Sequence, residues 1–375
     1  MSASGRYLDG RLQSMAGLRW DKGHGLTTQP WNALNISPQG VPDSPGRYHE
    51  HPDRFTPISS LANIDEVTHN LALTYKLTDT VNLYASKATS FRGANGAAIN
   101  FIGEPIGQQH GETFEVGIKS DFLNRKLVVN LNWYDLDRSN VQMQFGALSG
   151  ITEDDLEALF NPNDLSTLDP KYVFVNGRAE QRNVFSKGYE LTTTFQPAEG
   201  LRLRVAASYK TVTQNEGMPT YQRLLAEAKA RGNENPAHLA AAENILTTEM
   251  GRGNKLTGPS AAPITFNYAI SYNFARGSRW QGLGIGINGN YNHDYLFNYI
   301  SEVPYEGGRR FSLHGMASYR TRWMNRNLTF RLNVSNIVGS DYLTVGVVSA
   351  AGGVIRRVHN YGDPLSFLAS TTLDF

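Results

Sequence analysis

Polar and apolar residues alternate one by one along much of this chain. In NLTFRLNVSN, residues 327–336, Leu328, Phe330, Leu332 and Val334 take one face while Thr329, Arg331, Asn333 and Ser335 take the other. The same period recurs in ITFNYAISYNF (264–274), RRFSLHGMASYR (309–320), LRLRVAASYK (201–210), GLGIGINGNY (282–291), KLVVNLNWYD (126–135) and HNLALTYKL (69–77). Fainter versions occupy 11–20, 81–89, 112–120 and 186–195, and SFLASTTLDF carries the alternation to Phe375. Side chains of a strand point to opposite faces in turn, so these rows predict strands with one apolar and one polar face. The pattern predicts roughly twelve strands of about ten residues, the length a tilted strand needs to cross a bilayer.

The connections alternate as well. Short ones fall near 78–80, 121–125, 197–200, 275–281 and 323–326; long ones run near 21–66, 90–110, 146–180, 214–262, 294–308 and 337–362. An up-and-down barrel with tight turns on one rim and elaborate loops on the other gives this parity. A soluble sandwich has no reason to keep it. By this count the last strand runs from a long loop toward the tight-turn rim. Three loop segments read as helices. ITEDDLEALF (151–160) has Thr152 and Asp155 in capping-box spacing. YQRLLAEAKARG (221–232) closes on Gly232, and NPAHLAAAENILTTEM (235–250) offers Asn235 as N-cap before Pro236.

Composition fits a wet-walled barrel. Mean hydropathy is −0.39, and no run approaches the ~18 apolar residues of a membrane helix. Half of each strand facing a wet interior keeps the mean polar although an apolar band exists. Trp20, Trp133, Tyr134, Tyr209, Tyr291, Tyr319 and Phe375 lie near strand ends, where interfacial girdles sit. Met1 is followed by SASGRYLDGR, which lacks the apolar core of a signal peptide. The formal net charge of +1 excludes a strongly basic nucleic-acid binder. The absence of cysteine excludes disulfides and thiolate metal sites.

Little in the chain reads as enzyme chemistry. Gly284, Gly286 and Gly289 spell G-x-G-x-x-G, but inside an alternating strand rather than between a strand and a helix. There, glycine admits curvature or the close approach of an aromatic neighbour. His49, Glu50 and His51 form a metal-capable triplet in a long loop with no further ligand spacing, so a solvated loop is expected. No nucleophile elbow, HExxH or P-loop is present, and no catalytic residue, metal or cofactor is expected. Trp31, Tyr48, Phe55, Phe91, Phe101, Tyr172 and Tyr305 are loop aromatics that either meet a ligand or pack loop on loop.

Five ordered stretches carry a resemblance. VNLYASKATSFRGANG (81–96), GETFEVGIKSDFLNRKLVVNLNWYDLDRSNVQMQ (111–144), KGYELTTTFQPAEGLRLRVAASY (187–209), LNVSNIVGSDYL (332–343) and YGDPLSFLASTTLDF (361–375) resemble, in order, segments of the TonB-dependent outer-membrane receptor barrel. Leu365 stands where that family usually has an arginine after the closing proline. The resemblance implies an all-β, transmembrane, antiparallel up-and-down barrel. Residues 1–375 would be the C-terminal part of a barrel of about 22 strands, with about ten strands, the plug domain and the TonB box outside this stretch.

The implied function is energy-coupled uptake of a scarce ligand such as an iron–siderophore complex; carbohydrate or cobalamin are alternatives. Implied partners are outer-membrane lipid, the inner-membrane TonB energising complex acting through the plug, and the barrel assembly machinery reading Phe375. A passive porin or self-contained barrel of about twelve strands and an outer-membrane barrel enzyme such as a lipase are the competing readings. Glu115, Lys119, Glu190, Arg202, Arg204 and Arg331 fall on the polar rows, so each is expected to line the lumen or contact the plug. Glu115 and Glu190 match positions often acidic in the family, which implies a barrel–plug role.

Overall fold

The computed structural model describes residues 1–27, 60–93, 106–144, 179–214, 218–232, 236–240, 242–243, 262–294, 296–300, 303–338, 343–351, 354–361 and 363–374. In chain order the strands are β1 (Ser2–Tyr7), β2 (Leu12–Thr27), β3 (Ser60–Lys76), β4 (Val81–Arg92), β5 (Gln109–Phe122), β6 (Leu127–Gln144), β7 (Ala179–Phe195), β8 (Leu201–Gln214), β9 (Ile264–Asn273), β10 (Leu283–Asn292), β11 (Leu296–Ile300), β12 (Val303–Glu306), β13 (Arg310–Trp323), β14 (Arg326–Ser335), β15 (Leu343–Ala351), β16 (Val354–Tyr361) and β17 (Ser366–Leu373). Helix α1 (Pro219–Arg231) follows β8. Thirteen strands make one antiparallel sheet in the order β1–β10, β13, β14, β17. The pairs β11–β12 and β15–β16 are separate hairpins inside the connections that precede β13 and β17.

The sheet has one strand more than the alternation predicts. β1 reads SASGRY, with no apolar row to betray it. It pairs with β2 from Ser2↔Gly17 to Tyr7↔Leu12. The turn between them places Leu8, Asp9 and Gly10 at positive φ, and the Gly10 N–H donates to the Tyr7 carbonyl at 3.1 Å. Within the described residues β1 pairs only with β2 and β17 only with β14, so the sheet has two open edges. Thirteen antiparallel strands also mean that both edge strands run the same way.

The two rims differ as expected. Tight turns join β1–β2, β3–β4, β5–β6, β7–β8, β9–β10 and β13–β14, while every other connection between strands of the large sheet is long. Each turn has its own chemistry. Met324 and Asn325 both sit at positive φ, the two-residue geometry that matches hairpin twist. Thr78 Oγ1 accepts from the N–H groups of Thr80 (3.2 Å) and Val81 (3.0 Å), a side-chain-closed turn.

One face of the sheet is apolar and exposed. Leu71 (50 %) and Leu73 (52 %) on β3, Ile118 on β5, Ile270 on β9, Ile285 on β10 and Phe330 on β14 stand out from it. Cross-strand register keeps them on the same side, as in Leu203↔Ile270↔Ile287 and Tyr319↔Phe330. Side chains this apolar and this exposed need lipid as solvent. The glycines of β10 behave as the alternation predicts. A Cβ on Gly289 would meet first the Ser312 carbonyl oxygen and then the Tyr268 hydroxyl at 2.6 Å, so the close approach of the neighbouring backbone, as well as of an aromatic ring, keeps the residue small.

Strand length divides the sheet. β2, β3, β6 and β7 have 16, 17, 18 and 17 residues, whereas β9, β10 and β14 have 10 each and β17 has 8. About 9–11 residues cross a bilayer, so the long strands rise past it on the loop side. β6 bends there at a bulge between Arg138 and Val141. Asn140, at φ 57°, donates from Nδ2 to the Gln108 carbonyl at 3.0 Å and from its backbone to Asn183 Oδ1 at 3.2 Å. An extra residue held this way re-aims the strand tip.

Among the described residues the apolar core lies at this raised rim and not in the strand-spanning part. Met218, Tyr221, Leu224, Leu225 and Ala228 are all at most 3 % exposed. They belong to α1 and its N-cap. The helix begins two residues before the predicted segment and ends on Gly232 at φ 77°, as expected. Helical residues at 236–240 and 242–243 fall in the loop helix predicted at 235–250, and the Tyr221 hydroxyl donates to the Ala242 carbonyl at 3.1 Å. The predicted helix at 151–160, the His49–Glu50–His51 triplet, Trp31, Tyr48, Phe55, Phe101, Tyr172 and Phe375 lie outside the described residues.

Candidate functional site

The polar face carries a cluster that spans β4 to β9. Register brings Tyr84 opposite Gly117, Gly117 opposite Asn132, Asn132 opposite Glu190, and Glu190 opposite Ser208. The Tyr84 ring leans over β5. It lies so close that a Cβ on Gly117 would meet it at 2.6 Å. Gly117 therefore makes the seat for the ring. The Tyr84 hydroxyl donates to Glu115 Oε1, and Lys119 Nζ lies 4.3 Å from the ring centroid, a cation–π contact. A carboxylate, a phenol and an ammonium thus form one unit on two strands.

Neighbouring strands extend it. The Tyr134 hydroxyl is 3.3 Å from Ser186 Oγ, and Ser208 Oγ is 2.7 Å from Thr265 Oγ1. Asn132 is 5 % exposed, while Glu190 is exposed with no ion-pair partner among the described residues. This arrangement presents two carboxylates, one held and one free, to whatever occupies the polar face. It has no nucleophile–base pair and, among the described residues, no metal-capable group of three.

The six sequence-derived candidates all lie on the polar face, but not at one place. Glu115 and Lys119 meet around Tyr84, and Glu190 is two strands away. Arg202 and Arg204 are on β8, opposite Ser271 and Ala269. Arg331 is on β14, between Ser318 and Ser370. The chain therefore divides them into an acidic group and an arginine group. Tyr84 was missed by motif reading. Its signal is the tyrosine in the polar row Asn82–Tyr84–Ser86 matched by a glycine in the facing row of β5.

A second site was also beyond the motifs. α1 has Met218 as N-cap, without a side-chain cap bond and without an acidic residue in its first turn. Glu180, near the loop end of β7, supplies both. Its carboxylate accepts from the Thr220 hydroxyl and the N–H groups of Thr220 and Tyr221, at the helix N-terminus. Counting by twos from Glu190 puts Glu180 on the polar face, so α1 folds inward over that face. Glu180 is 1 % exposed, and burial raises its pKa above the ordinary carboxylate value despite those bonds. Beside it, Arg182 Nη1 donates to Gln214 Oε1 at 2.6 Å.

Known proteins share this architecture. The metal-pseudopaline receptor of Pseudomonas aeruginosa is 28 % identical over 182 residues, which are 48 % of this chain and 22 % of that protein. A probable TonB-dependent siderophore receptor of Acinetobacter baumannii is 29 % identical over 127 residues, 30 % of this chain and 17 % of that one. The chain thus spans about a fifth of the length of the curated relatives it matches. Among solved structures, the ferripyoverdine receptor of the P. aeruginosa outer membrane superposes over 99 % of this chain and 38 % of its own, with a TM-score of 0.58 at 16 % identity. The ferric-catecholate import receptor of E. coli K12 covers 97 % of this chain and 42 % of its own, with a TM-score of 0.55 at 17 % identity. Residues 5–337 match the family described as TonB dependent receptor-like, beta-barrel. With its lipid-facing strands, alternating rims and that match over nearly its whole length, the chain belongs to the TonB-dependent receptor β-barrel family.

Proposed function

We propose that residues 1–375 form the C-terminal part of the barrel of an outer-membrane receptor that imports a scarce ligand, such as an iron–siderophore complex, with energy from the TonB complex. The observation that carries this reading is the open thirteen-stranded sheet. Its apolar face suits lipid, its polar face suits a lumen, and both edges want partners. Unpaired strand edges in lipid cost several kcal/mol per backbone group in order of magnitude.

Parity supports a larger barrel. β1 and β17 run the same way, so closing this sheet on itself would pair them in parallel. An all-antiparallel closure needs an odd number of further strands, and a barrel of about 22 strands with a plugged lumen meets that need. This argues against a self-contained barrel of about twelve strands. The free Glu190 and the Tyr84-held Glu115 are then contacts for a plug domain, whose basic groups they would pair with. The relatives named for siderophores and metallophores support ligands of that class. Lipid around the apolar face and assembly through the terminal strand and Phe375 follow from the same reading.

Uptake of a ferric-siderophore panel by the full-length product, in cells with and without the TonB complex, tests this. We expect uptake of at least one ferric siderophore that stops when the TonB complex is removed. Uptake indifferent to that complex would overturn the receptor reading in favour of a passive pore.

A further inference from the structure

The polar face changes character around the sheet. On β2, β3, β5 and β7 it carries carboxylates such as Asp21, Glu66, Glu115 and Glu190, interleaved with cations such as Arg19, Lys76 and Lys119. β8, β9, β10, β13, β14 and β17 carry no aspartate or glutamate at all. Yet this second arc puts Arg202 and Arg204 of β8, Arg320 and Arg322 of β13, and Arg331 of β14 on the polar face. All five are exposed, and none has a side-chain hydrogen bond or ion pair among the described residues.

Their positions form two banks. Arg202 continues through Ser271 and Gly286 to Met316, and Arg204 through Ala269 and Asn288 to His314. Three strand spacings separate β8 from β13, about 14 Å. Arg331 sits diagonally from Arg320, within reach of a shared partner, because Arg320 faces Thr329. The floor between the banks is low, made of Ser271, Gly284, Gly286 and Ser318. Guanidinium groups do not shed their charge when crowded. Counter-charge for this arc must therefore come from outside its strands. Glu199, in the turn before β8, and Asp374 are the carboxylates adjoining them at the tight-turn rim, and neither makes an ion pair among the described residues.

We propose that this arginine arc seats a carboxylate-rich polypeptide surface inside the barrel. The inference rests on the receptor reading above and deepens it, because it fixes the charge of the face that an occupant of the lumen turns toward β8–β14. A single small anion reaches one bank and leaves the other repelling. A folded acidic surface spans both, and arginine pairs bidentately with each carboxylate. The first seven strands, whose polar face carries both signs, make no such one-sided demand. An occupant with one acidic side therefore has a single electrostatically favoured orientation.

Carbodiimide coupling of the full-length product in outer membranes tests this. Arg204→Lys and Arg331→Lys keep the charge and add an amine that can be joined to a contacting carboxylate. We expect mass spectrometry to find amide links from positions 204 and 331 to aspartates or glutamates outside the strands described. The outward pair Lys87–Glu112, with Nζ 2.8 Å from Oε1, reports in the same sample that the reagent works. If that link forms, the lumen excludes large solutes, and positions 204 and 331 stay unjoined, the proposal is overturned while the receptor reading stands. If the full-length product passes large solutes freely, the lumen is unfilled and both fail.

Discussion

The first seven strands and the last six solve the same problem with different means. Both arcs show lipid an apolar row toward the tight-turn rim, while on the loop side the outward row of the first arc also carries Lys87, Glu112, Asp135 and Lys187. On the loop side, the first arc rises well past the bilayer, bends at Asn140 and supports α1 through Glu180. The second arc has strands of 8 to 14 residues and carries its loop-side structure as the separate hairpins β11–β12 and β15–β16, with β11 against β15. Inside, the first arc mixes signs and the second carries only cations. The outer face is set by the solvent it meets, which is the same all round. The inner face and the rim are free to differ because each meets something different.

The outer face gives the sharpest test of what the arcs share. Leu73→Arg on β3 and Phe330→Arg on β14 each place a charge in the lipid-facing row. Both are expected to cost about 2–4 kcal/mol in an unfolding titration of the full-length protein in lipid. Similar losses support one continuous band; a harmless Phe330→Arg would mean the second arc is not lipid-facing there.

Gly117→Ala comes next. The new methyl collides with the Tyr84 ring and with the Leu131 carbonyl at 2.7 Å. The expected cost is about 1–3 kcal/mol, with loss of the Tyr84–Glu115 bond read from tyrosine ultraviolet spectra. Gly286→Ala meets backbone more loosely, at 3.0 Å from the Ile270 carbonyl, and should cost less.

The pH dependence of α1 docking separates the arcs again. Glu180 holds its proton more tightly when α1 is docked, because burial raises its pKa. Docking should therefore strengthen as pH falls from neutral, level off below the ordinary carboxylate value, and weaken as pH rises through the raised one. Hydrogen exchange of 219–231, corrected for intrinsic rates, reads this directly. Glu180→Gln should flatten the profile, while the hairpins of the second arc should show no such profile. The smallest effect belongs to Arg223→Ala, which breaks the exposed Arg223–Glu227 pair of α1 and should cost about 0–1 kcal/mol in the same titration as Leu73→Arg.

Where one face meets lipid and the other water, the sequence had to alternate, and the strands could be read from it. Leu328 to Val334 and Ile264 to Phe274 are such places. Beyond the bilayer both faces are wet, so the pattern dies: nothing in Ser139–Asn140–Val141 announces that β6 continues to Gln144. β1 escaped for a related reason, since SASGRY offers a backbone edge and few side chains to sort. Register sets the candidate residues on the polar row, but a row says nothing about which strands stand side by side. The separation of Glu115 from Arg331 is a fact of strand order. The Glu180 cap could not be seen locally, because the carboxylate and the helix it caps are 39 residues apart in sequence.

Strand order has a consequence for how the molecule comes into being. Among the described residues each sheet strand pairs only with the sheet strands next to it in the chain. Contact order is therefore low for a β protein of this size, and the wall can be laid down hairpin by hairpin. Each tight turn sets the register of its own pair, so a misstep in one hairpin need not propagate. The long connections all lie on the opposite rim, where insertions change a loop without touching a turn. The fold thus keeps its assembly instructions and its evolutionary variation at opposite ends of the same strands.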